Sequence, residues 1–314
     1  MVPFVSLPQV IATSTNVVPG QNAGFLGRAL DPVRLQRPPD DTLNFATPLP
    51  SLSAEVSRWR LGQRVHLLEQ LEAHGRLGRD ASAADRGKLV QRALQFIDSP
   101  KAARAFRLDL EPDRLRERYG RNVFGQSVLL ARRLVEAGVP MILVCWPDRT
   151  EPEAFLNNGS LDKVPVPLWD MHGKPVGNTP IFPTLRDKAL PPLDVAVSAL
   201  LEDLSARGLL EQTLVVVTGE FGRTPRVDSN WLGRNHYGHV FSGLLAGGGI
   251  RGGQVYGASD KFAAFPSVNP VPPKDFAATL YHCLGVAPDA EITDRLGRPQ
   301  TVTAEGKPVA GLLL

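Results

Sequence analysis

A pattern of helix, glycine and continuous apolar run occurs twice in this 314-residue chain, and it constrains the fold more than any other feature. In the first copy, Asn122 can cap a helix whose apolar face is Val123, Phe124, Val128, Ala131, Leu134 and Val135. Gly138 can end that helix in a left-handed conformation, and the run Val139-Pro-Met-Ile-Leu-Val-Cys-Trp146 follows. In the second copy, Leu193, Ala196, Val197, Leu200, Leu201 and Leu204 form the stripe, Gly208 stops it, and Gln212-Thr-Leu-Val-Val-Val-Thr218 follows. An apolar run without polar alternation, entered from a helix, reads as a strand buried on both faces of a parallel sheet. Two such units predict an α/β fold with a doubly wound, mostly parallel sheet, in which 139–146 and 212–218 are parallel neighbours. Phe241 to Ala246 is a third strand candidate, and Asp275 to Leu284 a last helix, capped by Asp275 and ended by Gly285.

The remaining chain divides by composition. Residues 1–54 are rich in proline and glycine, lack periodicity and read as an N-terminal loop segment. Residues 55–119 are rich in Arg, Glu, Leu and Ala, with Leu67, Leu68 and Leu71, then Leu89, Ala93, Leu94 and Ile97, at helical spacing. They predict a helical segment packed on the same domain, as a cap or a plain structural layer, with 120–314 as the α/β core. The linking loops differ too much in length for a tandem repeat. The net charge is +3, with Lys and Arg spread among Asp and Glu, and no basic block is interleaved with aromatics; this argues against a nucleic-acid partner. No run is long and apolar enough to span a membrane. The first residues lack a basic stretch followed by an apolar one and do not read as a signal peptide. Cys145 and Cys283 both lie in apolar contexts and read as small buried hydrophobes.

In open α/β sheets, ligands bind beyond the carboxyl ends of the strands. After the first apolar run comes a long loop containing Trp169-Asp-Met-His-Gly173, and after the second comes Gly219-Glu-Phe-Gly-Arg-Thr-Pro-Arg226. Gly233-Arg-Asn-His-Tyr-Gly-His239 lies shortly beyond. Carboxylates and imidazoles converging from separate loops suit a divalent cation such as zinc, calcium or manganese, with Asp170, His172, Glu220 and His236 as candidate ligands. Arg223, Arg226 and Arg234 can bind an oxyanion through paired hydrogen bonds, and Gly173 and Gly222 let the backbone turn beside the site. Blander readings stand beside these. Glu220 can cap the next turn or pair with Arg223, the histidines can be solvated, the arginines can be surface charges, and an Asp-x-His arises by chance in many proteins.

The strings Thr213-Leu-Val-Val-Val-Thr-Gly-Glu-Phe-Gly-Arg-Thr-Pro-Arg226, Gly233-Arg-Asn-His236 and Leu244-Leu-Ala-Gly-Gly-Gly-Ile-Arg-Gly-Gly-Gln-Val-Tyr-Gly-Ala-Ser-Asp260 resemble the bacterial family known as domain of unknown function 1501. Gly24-Phe-Leu-Gly with Asp31-Pro32 extends the resemblance toward the N-terminus. That family is counted among relatives of the sulfatases and alkaline phosphatases, and Arg207 to Gly222 resembles the layout in which a sulfatase helix and strand run into a metal-binding turn. The resemblance implies an alkaline-phosphatase or sulfatase-like fold, an exported or periplasmic protein, and a metal-dependent hydrolase of sulfate or phosphate esters acting on a small-molecule or polysaccharide substrate. It places Glu220 at a metal-binding Asp, Phe221 at a missing metal-binding His, and Asn235 where an Asp is usual. Asp170, His172 and His236 are the other implied ligands, with Arg223 or Arg234 as oxyanion partner. Superfamily members carry an N-terminal strand with a metal-binding Asp and a nucleophile nearby. No such segment is evident here, so the chain resembles the C-terminal two thirds of a member, and an incomplete hydrolase is expected. The alternative is a non-catalytic binding or structural module on the same fold.

Overall fold

The computed structural model describes residues 4–8, 20–35, 57–73, 104–146, 169, 171–173, 181–294 and 296–314. The chain forms two compact units, Met1–Pro147 and Asp148–Leu314, so the expected 120–314 core extends over parts of both.

In the first unit, β1 (Phe4–Leu7), β2 (Val33–Arg34) and β3 (Met141–Val144) form a parallel sheet in the order β2-β1-β3. β1 is the central strand: Val5 lies opposite both Val33 and Ile142, and Val5 and Leu7 are fully buried. The reading of 1–54 as loop is therefore corrected at Phe4–Leu7. The strand is too short, and too closely framed by Pro3 and Pro8, to display a period, and a strand enclosed on both sides shows no polar alternation. It carries no aspartate, and Ser6, its one hydroxyl, is buried. β3 departs from expectation in the other direction: Met141 and Leu143 are exposed, whereas both faces were expected to be covered.

Among the described residues of the first unit, helices accompany this sheet. α1 (Arg58–Ala73) and α2 (Asp113–Arg118) lie within the expected helical segment; Leu89, Ala93, Leu94 and Ile97 lie outside the described residues. α3 (Val123–Glu136) packs on β3. Its ends are those expected from the sequence: the Asn122 side chain accepts a hydrogen bond from Gly125 N at 2.9 Å, and Gly138 has φ +87°. α3 also buries polar groups. The Arg132 side chain is fully enclosed and meets Glu111 at 2.8 Å and Glu136 at 2.7 Å, while Arg133 pairs with the same Glu111. Gln126, also fully buried, accepts from Arg116 Nε and donates to the carbonyls of Arg116 and Gly120, each at 2.9 Å.

In the second unit, a helical turn (Ile181–Thr184) passes through a wider π-helical segment (Leu185–Ala189) into α4 (Leu190–Ala206). Pro191 and Pro192 have no N–H to give and crowd the carbonyls a turn earlier, which widens the helix there. Gly208, at φ +66°, ends α4 as expected. β4 (Val215–Thr218) pairs antiparallel with β7 (Gly243–Ala246), Val215 opposite Ala246 and Thr218 opposite Gly243. Among the described residues, the ladders of β3 and β4 thus each run within their own unit, to β1 and β7, and none of these ladders carries the expected parallel pairing of 139–146 with 212–218. A parallel return needs a crossover, usually a helix. Between β4 and β7 the chain instead makes a short hairpin, β5 (Gly222–Arg223) with β6 (His236–Tyr237). The protein therefore combines helices with a small parallel sheet and several antiparallel pairs.

Beyond β7, β8 (Ala258–Ser259) pairs with β9 (Pro266–Val268), and α5 (Pro273–Cys283) precedes the hairpin of β10 (Glu291–Thr293) and β11 (Pro299–Thr301). Asp275 does not cap α5. Pro272 holds that position, and the Asp275 carboxylate accepts from Lys307 N at 2.9 Å instead. The prolines at 272 and 273 move the helix start upstream of the aspartate. Gly285, at φ +75°, follows the helix end as expected.

The β10–β11 turn is held by Asp294, which accepts from Leu296 N at 2.8 Å, Arg298 N at 2.9 Å and Arg298 Nε at 2.8 Å. The Arg298 backbone N–H, followed by the Arg298 guanidinium and the Leu296 N–H, holds this carboxyl below its ordinary value against an opposing effect of burial. A lowered folded value contributes stability that is present above the unfolded carboxyl range and is lost as pH falls through the folded value. Asp294→Asn should therefore lower the melting temperature at pH 7 and leave it unchanged once the wild-type carboxyl is protonated. Melting curves between pH 2 and 7 check this, and an equal deficit at both ends would refute it.

Candidate functional site

All described candidate residues belong to the second unit, and the β5–β6 hairpin organises them. Arg223 and His236 are opposite one another in its ladder. Pairing continues by one residue, with Thr224 N donating to Asn235 O at 3.0 Å and Asn235 N to Thr224 Oγ1 at 3.2 Å. Side chains on an extended chain return to the same side every second residue, so Arg234 and His236 are offered to one side together with Arg223 across the ladder.

Arg223 is the centre of the arrangement. Its side chain is 18% exposed. Nη1 lies 3.0 Å from His172 Nε2, and Nη2 lies 3.3 Å from Glu220 Oε1. A guanidinium only donates, so His172 Nε2 is the acceptor and its ring proton sits on Nδ1. The His172 and His236 rings lie 4.7 Å apart between centroids, and the Phe221 ring centroid lies 4.5 Å from that of His236. Phe221 is 37% exposed and stands beside His236. Glu220 follows β4, with 61% of its side chain exposed. Asp170 lies outside the described residues.

Main-chain contacts bring the His172 segment to the hairpin. Arg234 N donates to Met171 O at 2.6 Å. Gly173 is held at φ +79°, and a Cβ there would lie 2.1 Å from Trp231 O; a Cβ on Gly233 would lie 2.0 Å from His172 O. The loop 228–233 keeps its shape through Asp228, whose Oδ1 accepts from Asn230 N at 2.8 Å and Trp231 N at 3.0 Å, while Asp228 N reaches Gly233 O at 2.8 Å. Gly222 has a different role from Gly173: a Cβ there would lie 1.6 Å from Val240 O, so it permits close approach where Gly173 permits a left-handed turn. Sequence reasoning missed Phe182, over whose ring the Arg234 guanidinium carbon stands at 5.2 Å. Its only signal was an aromatic residue at the start of a helical stretch.

The family model described as Protein of unknown function (DUF1501) matches residues 1–313. The chain belongs to the DUF1501 family. No curated protein matches it, and no solved structure matches it. The DUF1501 match includes the N-terminal segment, and a match of that extent lends no support to the expectation that the chain corresponds to the C-terminal two thirds of a member.

The metal implied for Asp170, His172, Glu220 and His236 can be tested against the DUF1501 site itself. Among the described residues, no group of three or more His, Cys, Asp or Glu side chains is placed to hold a metal ion. Two of the expected ligands, His172 and Glu220, are bound instead to the Arg223 guanidinium, a fixed cation that repels a second one. Among the described residues, the Arg223 guanidinium meets His172 and the mostly solvated Glu220, His236 stands beside His172, and Arg234 stands over Phe182.

Proposed function

We propose that this DUF1501 chain is a hydrolase of sulfate or phosphate esters, with Arg223 and Arg234 holding the ester oxyanion beside His172 and His236. One observation carries this reading: the Arg223 guanidinium, largely withdrawn from water, is fixed between His172 and Glu220 where three loops meet. A planar guanidinium matches two oxygens of a sulfate or phosphate group, and a donor held in place before the ligand arrives also stabilises charge that develops later. An imidazole such as His236, exposed beside that position, is the kind of group that accepts a proton from attacking water. The likeness of Arg207–Gly222 to the sulfatase layout supports the same chemistry, on a small-molecule or polysaccharide ester.

A second reading, a sulfatase-like binding module without turnover, is favoured by the occupation of both Glu220 and His172 by Arg223. A divalent metal on Asp170, His172, Glu220 and His236 would have to share Glu220 and His172 with Arg223. The test uses the full chain in three measurements: affinity for sulfate and phosphate, turnover of aryl sulfates and phosphates with and without zinc, calcium or manganese, and bound metal by elemental analysis. Anion binding and turnover that both fall at least about tenfold in Arg223→Ala are expected, in line with about 1.5–3 kcal/mol for a hydrogen bond to a charged group. Binding without turnover selects the binding module. Stoichiometric metal with turnover lost in Glu220→Ala selects the metal-dependent form. Binding of neither sulfate nor phosphate refutes the oxyanion site.

A further inference from the structure

We infer that the site is built for esters whose leaving group is a planar aromatic ring, seated on Phe182 beside Arg234. The inference rests on the proposal that Arg223 and Arg234 hold the ester oxyanion, and it adds the part of the substrate that the oxyanion does not specify. Each of these arginines stands against a phenyl ring that remains open to water. The Arg234 guanidinium carbon is 5.2 Å from the Phe182 centroid, and Phe182 is 50% exposed. The Arg223 guanidinium carbon is 5.8 Å from the Phe221 centroid, and Phe221 is 37% exposed.

Arg234 adds a second observation. Its Nε is buried and has no hydrogen-bond partner among the described residues. A buried donor without an acceptor costs free energy until a ligand supplies one. An ester oxyanion provides that acceptor, and an aryl ester carries a flat apolar ring one oxygen away from it. The guanidinium covers part of Phe182, and the rest of the ring is available for offset stacking or edge contact. Phe182 and Phe221 have no polar side-chain atom to offer the hydroxyls of a sugar leaving group. An alkyl chain has no flat face to lay on them. Of the three leaving groups, an aromatic ring matches both what the site offers and what it lacks.

The test compares methylphosphonate, phenylphosphonate and cyclohexylphosphonate, which share a non-hydrolysable head group and differ in the attached group. Titration calorimetry on the full chain should show phenylphosphonate binding about tenfold tighter than methylphosphonate, or about 1.4 kcal/mol. Cyclohexylphosphonate should gain less. Phe182→Ala should bring the phenyl-to-methyl affinity ratio to about one, and Phe182→Tyr, which keeps the ring, should preserve it. The second variant also guards against a folding defect in the first. Equal binding of the phenyl and methyl forms by the wild-type chain overturns the inference and leaves the oxyanion site standing. A cyclohexyl form as tight as the phenyl form, or a preference that survives Phe182→Ala, also overturns it. Failure of all three to bind, with sulfate and phosphate failing as well, overturns the reading beneath it.

Discussion

Replacing Arg132 with alanine is expected to lower the free energy of opening α3 by about 3–5 kcal/mol, the range for removing one partner of a buried ion pair. The side chain is fully enclosed, and it binds Glu111, itself 7% exposed, at 2.8 Å. Glu111 would keep Arg133, which prevents a completely uncompensated charge but leaves a cavity where Arg132 had been. Glu136 is about half exposed and can turn to water, so its share of the loss is small. Arg132→Met fills most of the cavity and should recover part of the loss. Hydrogen exchange measured on peptides from 123–136 reads the effect directly, because α3 is the element these contacts hold. Unchanged protection in Arg132→Ala would mean that the pair is energetically idle.

Gly222→Ala should disable the site more completely than removal of either histidine. The added Cβ would stand 1.6 Å from Val240 O and 3.0 Å from Tyr237 O, and both are backbone atoms that no side-chain rotation can move. Overpacking of this kind typically costs about 1–3 kcal/mol, and here it falls on a ladder of only two residue pairs. The strand β5 would have to shift away from β6, which carries Arg223 away from His236. Anion affinity is expected to fall at least about tenfold, comparable to loss of a hydrogen bond to a charged group. The His172 and His236 ring resonances should move together in the NMR spectrum. Full affinity with unmoved resonances would contradict the role given to this glycine. Gly173→Ala, which combines φ +79° with a Cβ 2.1 Å from Trp231 O, should displace His172 and leave the β5–β6 pairing in place.

What was legible in the sequence was mostly local. The Asn122 cap and the glycines after α3, α4 and α5 could be placed because each satisfies a need of its own helix end. Strand pairing is not local. The runs 139–146 and 212–218 look alike in sequence, yet one pairs with β1 and the other with β7, and only the absence of a helix between β4 and β7 could have warned of the antiparallel return. β1 was illegible for a related reason, since four residues between prolines carry no period. Asp275 shows the limit of cap rules: its position suits a cap, but Pro272 and Pro273 start the helix earlier, and the carboxylate serves Lys307 N. In the candidate site, the residue types around Glu220 and His236 pointed to segments that the structure brings together around Arg223. The pairing of Glu220 with Arg223 was foreseen as the plainer alternative to ligation, and it is the pairing the structure contains. The position of Arg223 between two groups expected to hold a cation depends on side-chain direction across a hairpin, which spacing alone does not encode.

The three segments of the site are joined largely by main chain: Arg234 N to Met171 O, Gly173 against Trp231 O, Gly233 against His172 O, and Thr224 N to Asn235 O. Such a frame makes few demands on the side chains it displays. His172, Arg223, Arg234 and His236 can in principle be exchanged one at a time while the loops keep their places, provided the glycines remain. The framework is thus an interchangeable mount, on which two or three displayed residues can be altered without rebuilding the loops beneath them.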